Sequence, residues 1–174
     1  MEIRRDTYLN KLVEHRGNQR IKIVTGIRRC GKSYLLFHLF KDYLLKSGVP
    51  QSRIIEIQLD DRANKSLRNP DNCLAYIRQK VRGKGRYYLL IDEVQMMDEF
   101  EDVLNSCLHI GNLDIAYGAS GRKSLKFRFK LEFGESICLF GYMDMIAVCD
   151  ISLVGNALDY SEASLEALGK FVCR

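Results

Sequence analysis

The sequence predicts an α/β protein with a mainly parallel central sheet covered by helices on both faces, and three observations carry that expectation. Apolar runs of strand length, at residues 20–25, 53–59, 87–92 and 112–120, alternate with stretches whose apolar residues recur at helical spacing. The run "YYLLI" is continuously apolar, as strands of a parallel sheet buried on both faces are. Between the first strand and the first long helical pattern stands a glycine-containing fragment, "GIRRCGKS".

Taken in order, residues 6–15 place Tyr8, Leu9, Leu12 and Val13 on one helical face, so an amphipathic helix is expected beside the first strand. Ile21, Ile23 and Val24 make that strand a short β-branched run. Beyond the glycine fragment, Leu35, Leu36, Leu39, Phe40, Tyr43 and Leu44 predict a helix that stops at Gly48 and Pro50. "RIIEIQL" alternates Ile55, Ile57 and Leu59 against Glu56 and Gln58, then gives way to a loop at Asp60 and Asp61. In "NPDNCLAYIRQKV", Asn69 is the expected N-cap and Pro70 the first helical residue, with Cys73, Leu74, Ile77 and Val81 as the buried stripe. "GKGR" turns the chain into "YYLLIDEV". Asp98 and Glu101 then resemble a capping box ahead of a helix through Phe100, Val103, Leu104, Cys107 and Leu108, which stops at Gly111. "NLDIAYGAS" reads as a fourth strand leading to Ser120. There are no internal repeats and no low-complexity segments.

The tail departs from this rhythm. "FRFKLEF" alternates Phe127, Phe129, Leu131 and Phe133 with charged residues, the pattern of a half-exposed strand. "FGES" could turn it into "ICLFGYM" as a hairpin, and a weak helix from Ser161 to Phe171 closes the chain. The expected division is therefore a core over residues 1–125 and a divergent C-terminal extension over 126–174 that can complete the sheet.

With 174 residues and 47% hydrophobic content, the chain is long enough for one domain with a sizeable core. A formal charge of +5 favours anionic partners without choosing among nucleotides, nucleic acid and acidic surfaces. The six cysteines are scattered, with no C-x-x-C pair and no Cys/His pairing at zinc spacing, which argues against structural zinc. They read as reduced thiols of a cytoplasmic protein. Cys30, inside the glycine fragment beside Arg28, Arg29 and Lys32, is a candidate for oxidation or alkylation; the alternative is an inert spacer. The N-terminus is charged from its second residue, and the apolar stretch 137–155 is interrupted by Asp144 and Asp150, so neither a targeting peptide nor a membrane span is expected.

"GIRRCGKS" fits the pattern Gly-x-x-x-x-Gly-Lys-Ser. A strand entering such a loop and a helix leaving it make an anion site, because glycines permit a tight path and the helix N-terminus adds unpaired N–H donors and a favourable dipole. The expected phosphate cradle comprises Gly26, Ile27, Arg28, Arg29, Cys30, Gly31, Lys32, Ser33 and Tyr34, with Lys32 reaching the β- and γ-phosphates and Ser33 holding Mg²⁺. The alternative is a coincidental turn with a solvated lysine. Asp92 and Glu93 close a buried strand, and strand ends of open α/β sheets face ligand sites. Asp92 is expected to hold Mg²⁺, and Glu93 to orient and polarise an attacking water. Taken alone, "LLIDEV" also suits a strand running into an acidic helix cap.

With both motifs in view, residues 1–125 resemble the archaeal and bacterial P-loop ATPases loosely grouped with the AAA superfamily, in which "TGIRRCGKS" and "LLIDEVQ" are typical strings. "RDTYLNKLVEHR" and "VLNSCLHIGNLDI" also look like that family. The resemblance implies a P-loop NTPase three-layer sandwich, ATP as ligand, Gly26 to Ser33 as the Walker A loop, Asp92 and Glu93 as the Walker B pair, and Ser120 as a sensor. Lys32 and Glu93 would be catalytic. It leaves the partner open between nucleic acid and a protein client, with homo-oligomerisation in keeping with AAA relatives. Downstream, "YGASGRKSLKFRFKLEF" departs from the family's pattern, as a diverged tail, a fragment or a frameshifted product would. That puts the sensor and any arginine finger, for which Arg28, Arg29 and Arg122 are candidates, in question.

Three functions follow. The first is Mg-dependent ATP hydrolysis; a GTPase would need an Asn-Lys-x-Asp base-reading motif, for which only "NKSL" is present. The second is an ATP-binding regulatory module without effective turnover. The third is a nucleic-acid-associated ATPase that uses the basic stretches "RQKVRGKGR" and "GRKSLKFRFK".

Overall fold

Four runs of β-branched, leucine and aromatic residues pair side by side in the computed structural model, which describes residues 6–26, 29–120, 137–139 and 149–150. They are β1 (Ile21–Gly26), β2 (Ile54–Gln58), β3 (Tyr87–Asp92) and β4 (Leu113–Ser120), mutually parallel in the order β2-β3-β4-β1. Two short strands extend the sheet past β1: β5 (Ile137–Leu139), parallel to β1, and β6 (Cys149–Asp150), antiparallel to β5. The expected strand at 127–133, the turn after it and the helix at 161–171 lie outside the described residues.

Alternation along the strands sorts side chains into two layers. Tyr87, Leu89 and Ile91 of β3 join Ile21, Ile23, Ile115 and Tyr117 on one face. They pack against Cys73 and Ile77 of α4 (Pro70–Lys80) and Val103, Leu104 and Cys107 of α5 (Phe100–Leu108). Tyr88 and Leu90 point the other way, with Val24 and Ala116. That face is covered by Leu12 of α1 (Asp6–Glu14) and by one continuous helical rod carrying Leu35, Leu36, Phe37, Phe40 and Leu44. The rod comprises α2 (Lys32–Tyr34), a π-helical stretch (Leu35–Phe40) and α3 (Lys41–Lys46). The result is a three-layer α/β sandwich with both faces of the sheet covered, as expected of parallel strands.

Local signals placed several boundaries. Asn69 caps α4 by accepting from the Asn72 amide at 3.0 Å, with Pro70 at the first position. Gly48, left-handed at φ +87°, follows the end of α3. Two expectations need correction. The residue capping α5 is Glu99, left-handed at φ 51° with no side-chain cap, so the Asp98 and Glu101 capping box does not form; burial of Met97 and Phe100 on either side of the turn sets the helix start. The wide π turn also brings Phe37 into the core, while Tyr43 is half-buried beneath the Arg16 guanidinium, 5.5 Å from its ring centre.

At the N-terminal rim of the sheet a charged pair is sealed inside. Lys22 of β1 is 0% exposed and Asp114 of β4 is 3% exposed. The Lys22 ammonium bonds Asp114 Oδ1 and donates to the Arg20 carbonyl at 3.0 Å, while the Gly17 amide donates to Asp114 Oδ2 at 3.2 Å. Burial lowers the Lys22 pKa, and the Asp114 charge opposes that shift. No helix among the described residues is long and apolar enough to cross a membrane.

Breaking this pair one partner at a time strands a buried charge. Lys22→Met alone is expected to cost about 3–5 kcal/mol, whereas Lys22→Met with Asp114→Leu is expected to be near neutral or stabilising. Urea unfolding of the two variants against wild type measures the difference, and equal destabilisation by both would refute it.

Candidate functional site

The carboxyl ends of β1, β3 and β4 converge on one rim of the sheet. The β1–β4 register sets Gly26 opposite Ser120, so the loop that leaves β1 begins beside the end of β4. Ile27 and Arg28 lie outside the described residues. Arg29, exposed, is left-handed at φ 66°, and Gly31, at the N-cap of α2, is left-handed at φ 88°. A Cβ at Gly31 would be strained in that conformation, and bends of this kind turn backbone N–H groups toward a common point. The Leu35 amide returns to the Gly31 carbonyl at 3.0 Å, which locks the loop to the helix.

Lys32 is buried to 3% exposure and its ammonium stands 3.8 Å from Cys30 Sγ. Ser33 and Tyr34 are exposed, and the Tyr34 ring stacks on His38 at 5.0 Å between centroids. Ser33 Oγ donates a short hydrogen bond to Asp92 Oδ2, joining residues 59 positions apart. Asp92, at the end of a strand buried along its whole length, is 2% exposed, and its Oδ1 is buried with no hydrogen-bond partner. Burial raises the Asp92 pKa, against the hydrogen bond from Ser33. The carboxylate fits there because position 118 is glycine: a Cβ on Gly118 would overlap Asp92 Oδ1 and stand 3.3 Å from Leu36 Cδ1.

Glu93 leaves the strand in a left-handed conformation, φ 53°, which swings its side chain toward β4. Glu93 Oε1 accepts from Ser120 Oγ at 2.6 Å, and Oε2 accepts a short bond from Gln95 Nε2. The Ser120 amide in turn donates to Gln95 Oε1 at 3.4 Å. Glu93, Gln95 and Ser120 therefore close a triangle of hydrogen bonds. Gln95 was not among the residues singled out by the sequence; its signal was its place in "LLIDEVQ", which the 3₁₀ turn Val94–Met96 folds back over Glu93. Of the candidate arginines, Arg29 stands on the loop, whereas Arg28 and Arg122 lie outside the described residues.

A parallel sheet whose central strand runs into a Gly-x-x-x-x-Gly-Lys-Ser loop and a helix, beside a strand that ends in a buried aspartate, defines a nucleotide-binding protein of the P-loop ATPase type. The chain belongs to the AAA domain family, whose model matches residues 18–132. It is 27% identical over 124 residues to an uncharacterized protein of Haemophilus influenzae, an alignment that takes in 71% of this chain and 31% of that protein. The chain thus spans about a third of the length of the curated relative it matches. Among solved structures, one titled as Drosophila ORC bound to AT-rich DNA and Cdc6 aligns over 72% of this chain and 49% of its own, at 14% identity and a TM-score of 0.46.

The cysteines provide a chemical check on the loop. Burial pushes the Cys73 thiol up to about 11 and the Cys107 thiol up to about 12, whereas Cys30 is only half-buried. Brief treatment of the native chain with iodoacetamide is expected to modify Cys30 well before Cys73 or Cys107, with peptide mass mapping as the readout. Equal modification of all three without denaturant would contradict this packing.

Proposed function

We propose that the chain binds ATP with Mg²⁺ on this rim and hydrolyses it. The observation that carries the reading is the meeting of Ser33 with Asp92 beneath the glycine loop, with one buried aspartate oxygen left unsatisfied. An orphaned carboxylate oxygen beside a serine hydroxyl suits a hard, oxygen-seeking cation. Among the described residues no group of three or more His, Cys, Asp or Glu is placed to hold a metal ion by itself, so such an ion would complete its shell with phosphate oxygens and water. Ser33 and Asp92 would hold it, and once bound it would offset the negative charge of the phosphates.

The remaining work falls to the chain itself. Backbone N–H groups from Gly26 to Ser33 and the Lys32 ammonium hold the phosphates in place. Glu93 accepts the proton of a water aimed at the terminal phosphorus; each of its oxygens accepts one hydrogen bond here, which leaves lone-pair capacity for that proton. Ser120 and Gln95 hold the carboxylate in its orientation. Gln95 is thus a positioning residue, acting through Glu93. Arg29 lies on the loop and contributes positive charge near the phosphates.

Binding and turnover separate these roles. Lys32→Ala is expected to abolish ATP binding. Glu93→Gln should bind ATP as wild type does and lose at least about 100-fold in phosphate release. For Gln95→Ala the expectation is a fall in kcat of about tenfold with the ATP dissociation constant unchanged. A folded wild-type chain that binds no Mg-ATP would sink the proposal, and full turnover in Glu93→Gln would remove Glu93 from it.

Close packing at Asp92 makes a further prediction. Gly118→Ala should displace the carboxylate and weaken Mg-ATP binding much more than it weakens binding of ATP in EDTA, as titration calorimetry would show. Equal affinities for both forms in the variant and in wild type would mean that Asp92 does not serve the metal.

A further inference from the structure

The opposite rim of the sheet, where the parallel strands begin, carries a second charged feature. From Arg78 to Arg86 the sequence RQKVRGKGR contains five cations and no acid. All five, Arg78, Lys80, Arg82, Lys84 and Arg86, are exposed, as is Arg53 at the start of β2. Among the described residues the ion pairs are Lys22 with Asp114 and Lys41 with Glu56, so none of these six is neutralised by a carboxylate.

The segment is held rather than left loose. Asn112 Nδ2 donates to the carbonyls of Gly83 at 2.9 Å and Gly85 at 2.8 Å, and the Tyr87 hydroxyl donates to the Arg82 carbonyl. The Tyr87 amide bonds the Asn112 carbonyl at 2.8 Å, which fastens the loop to the strand that follows it. Glycine also lets two arginines lie across the rim: a side chain at Gly85 would run into the Arg53 guanidinium, and one at Gly17 into that of Arg86. The loop's carbonyls are thereby engaged with the protein. Arg82 Nε also donates to the Gln79 carbonyl at 2.7 Å and the Lys80 ammonium stands 5.3 Å from the Tyr76 ring centre, contacts that leave the charges of both residues without a carboxylate.

We propose that this rim, centred on residues 78–86 with Arg53, is a docking surface for the phosphate backbone of duplex nucleic acid, bound without regard to sequence. Charge complementarity is the argument. A row of exposed cations that no carboxylate neutralises, on a fixed backbone, gains free energy by releasing the counterions of a polyanion. Protein partners are usually anchored by buried aromatic or aliphatic side chains, and a membrane surface by apolar insertion. The exposed large apolar residues of the described chain are Tyr34, Leu45 and Met96, none of them in this segment. The surface is separate from the nucleotide rim, and its test does not depend on whether ATP is hydrolysed.

The test uses the full chain and a fluorescein-labelled duplex of about 20 base pairs, read by anisotropy across a salt series. Log K should fall linearly with log salt, with a slope near −0.9 for each phosphate neutralised, hence about −3 to −5 here. Lys80→Glu with Arg82→Glu and Lys84→Glu should weaken binding at least about tenfold and flatten the slope by about three, while thermal melting and Mg-ATP binding stay as in wild type. Asn112→Ala, which keeps every cation but releases the loop, should weaken binding without changing the slope. Absence of duplex binding at 50 mM salt would overturn the proposal. So would an unaltered slope in the triple variant, or tighter binding of poly-glutamate than of the duplex.

Discussion

A carboxylate carried at the end of a strand buried from first residue to last has to be accommodated, and the arrangement of this rim follows from how Asp92 is. One oxygen takes the Ser33 hydroxyl and so draws the start of the helical rod onto the sheet. The other presses against Gly118, where any Cβ would collide with it, so the Asp92 carboxylate can keep this position only with a glycine there. Leu36 closes the same space from the helix side. The helix start and the packing of one face are thereby tied to a single buried group.

Much of this was legible in the sequence because the signals were local. The β-branched and apolar runs marked four strands, Asn69 with Pro70 marked the start of α4, and the Gly-x-x-x-x-Gly-Lys-Ser string announced the turn from β1 into a helix. What escaped depended on tertiary packing. Spacing of 3.6 residues gives no hint of a π turn, so Phe37 was missed as a core residue. Glu99 takes a left-handed conformation because the residues around it are pulled inward, and a cap motif read from the chain alone cannot weigh that pull. The partnership of Lys22 with Asp114 needed the pairing of the first strand with the fourth, 92 positions on. Gln95 became visible only when the turn after Glu93 brought it round to face Ser120.

Parallel strands give the molecule two unlike ends. At the carboxyl ends, short loops and a helix N-terminus gather glycines, a lysine and carboxylates. The amino ends receive the carboxyl termini of α3 and α4, whose dipoles favour cations, and lysine and arginine accumulate there. An anion held at the first end and a polyanion at the second would meet the same sheet from opposite sides, with β3 running between them. The Lys22 and Asp114 pair lies near the second end, buried, neutral as a unit and unavailable to either ligand.

Glu93 shows what this rim asks of the chain. Its backbone sits at φ 53°, a region in which a non-glycine residue gives up about 1–2 kcal/mol. Glycine or asparagine would adopt that turn at lower cost, and a search guided by folding energy alone would favour either one at this position. Both would discard the carboxylate that Ser120 and Gln95 hold. Position 93 is therefore a point where backbone ease and retention of a carboxylate pull in opposite directions, and substitutions chosen for stability alone would remove that carboxylate first.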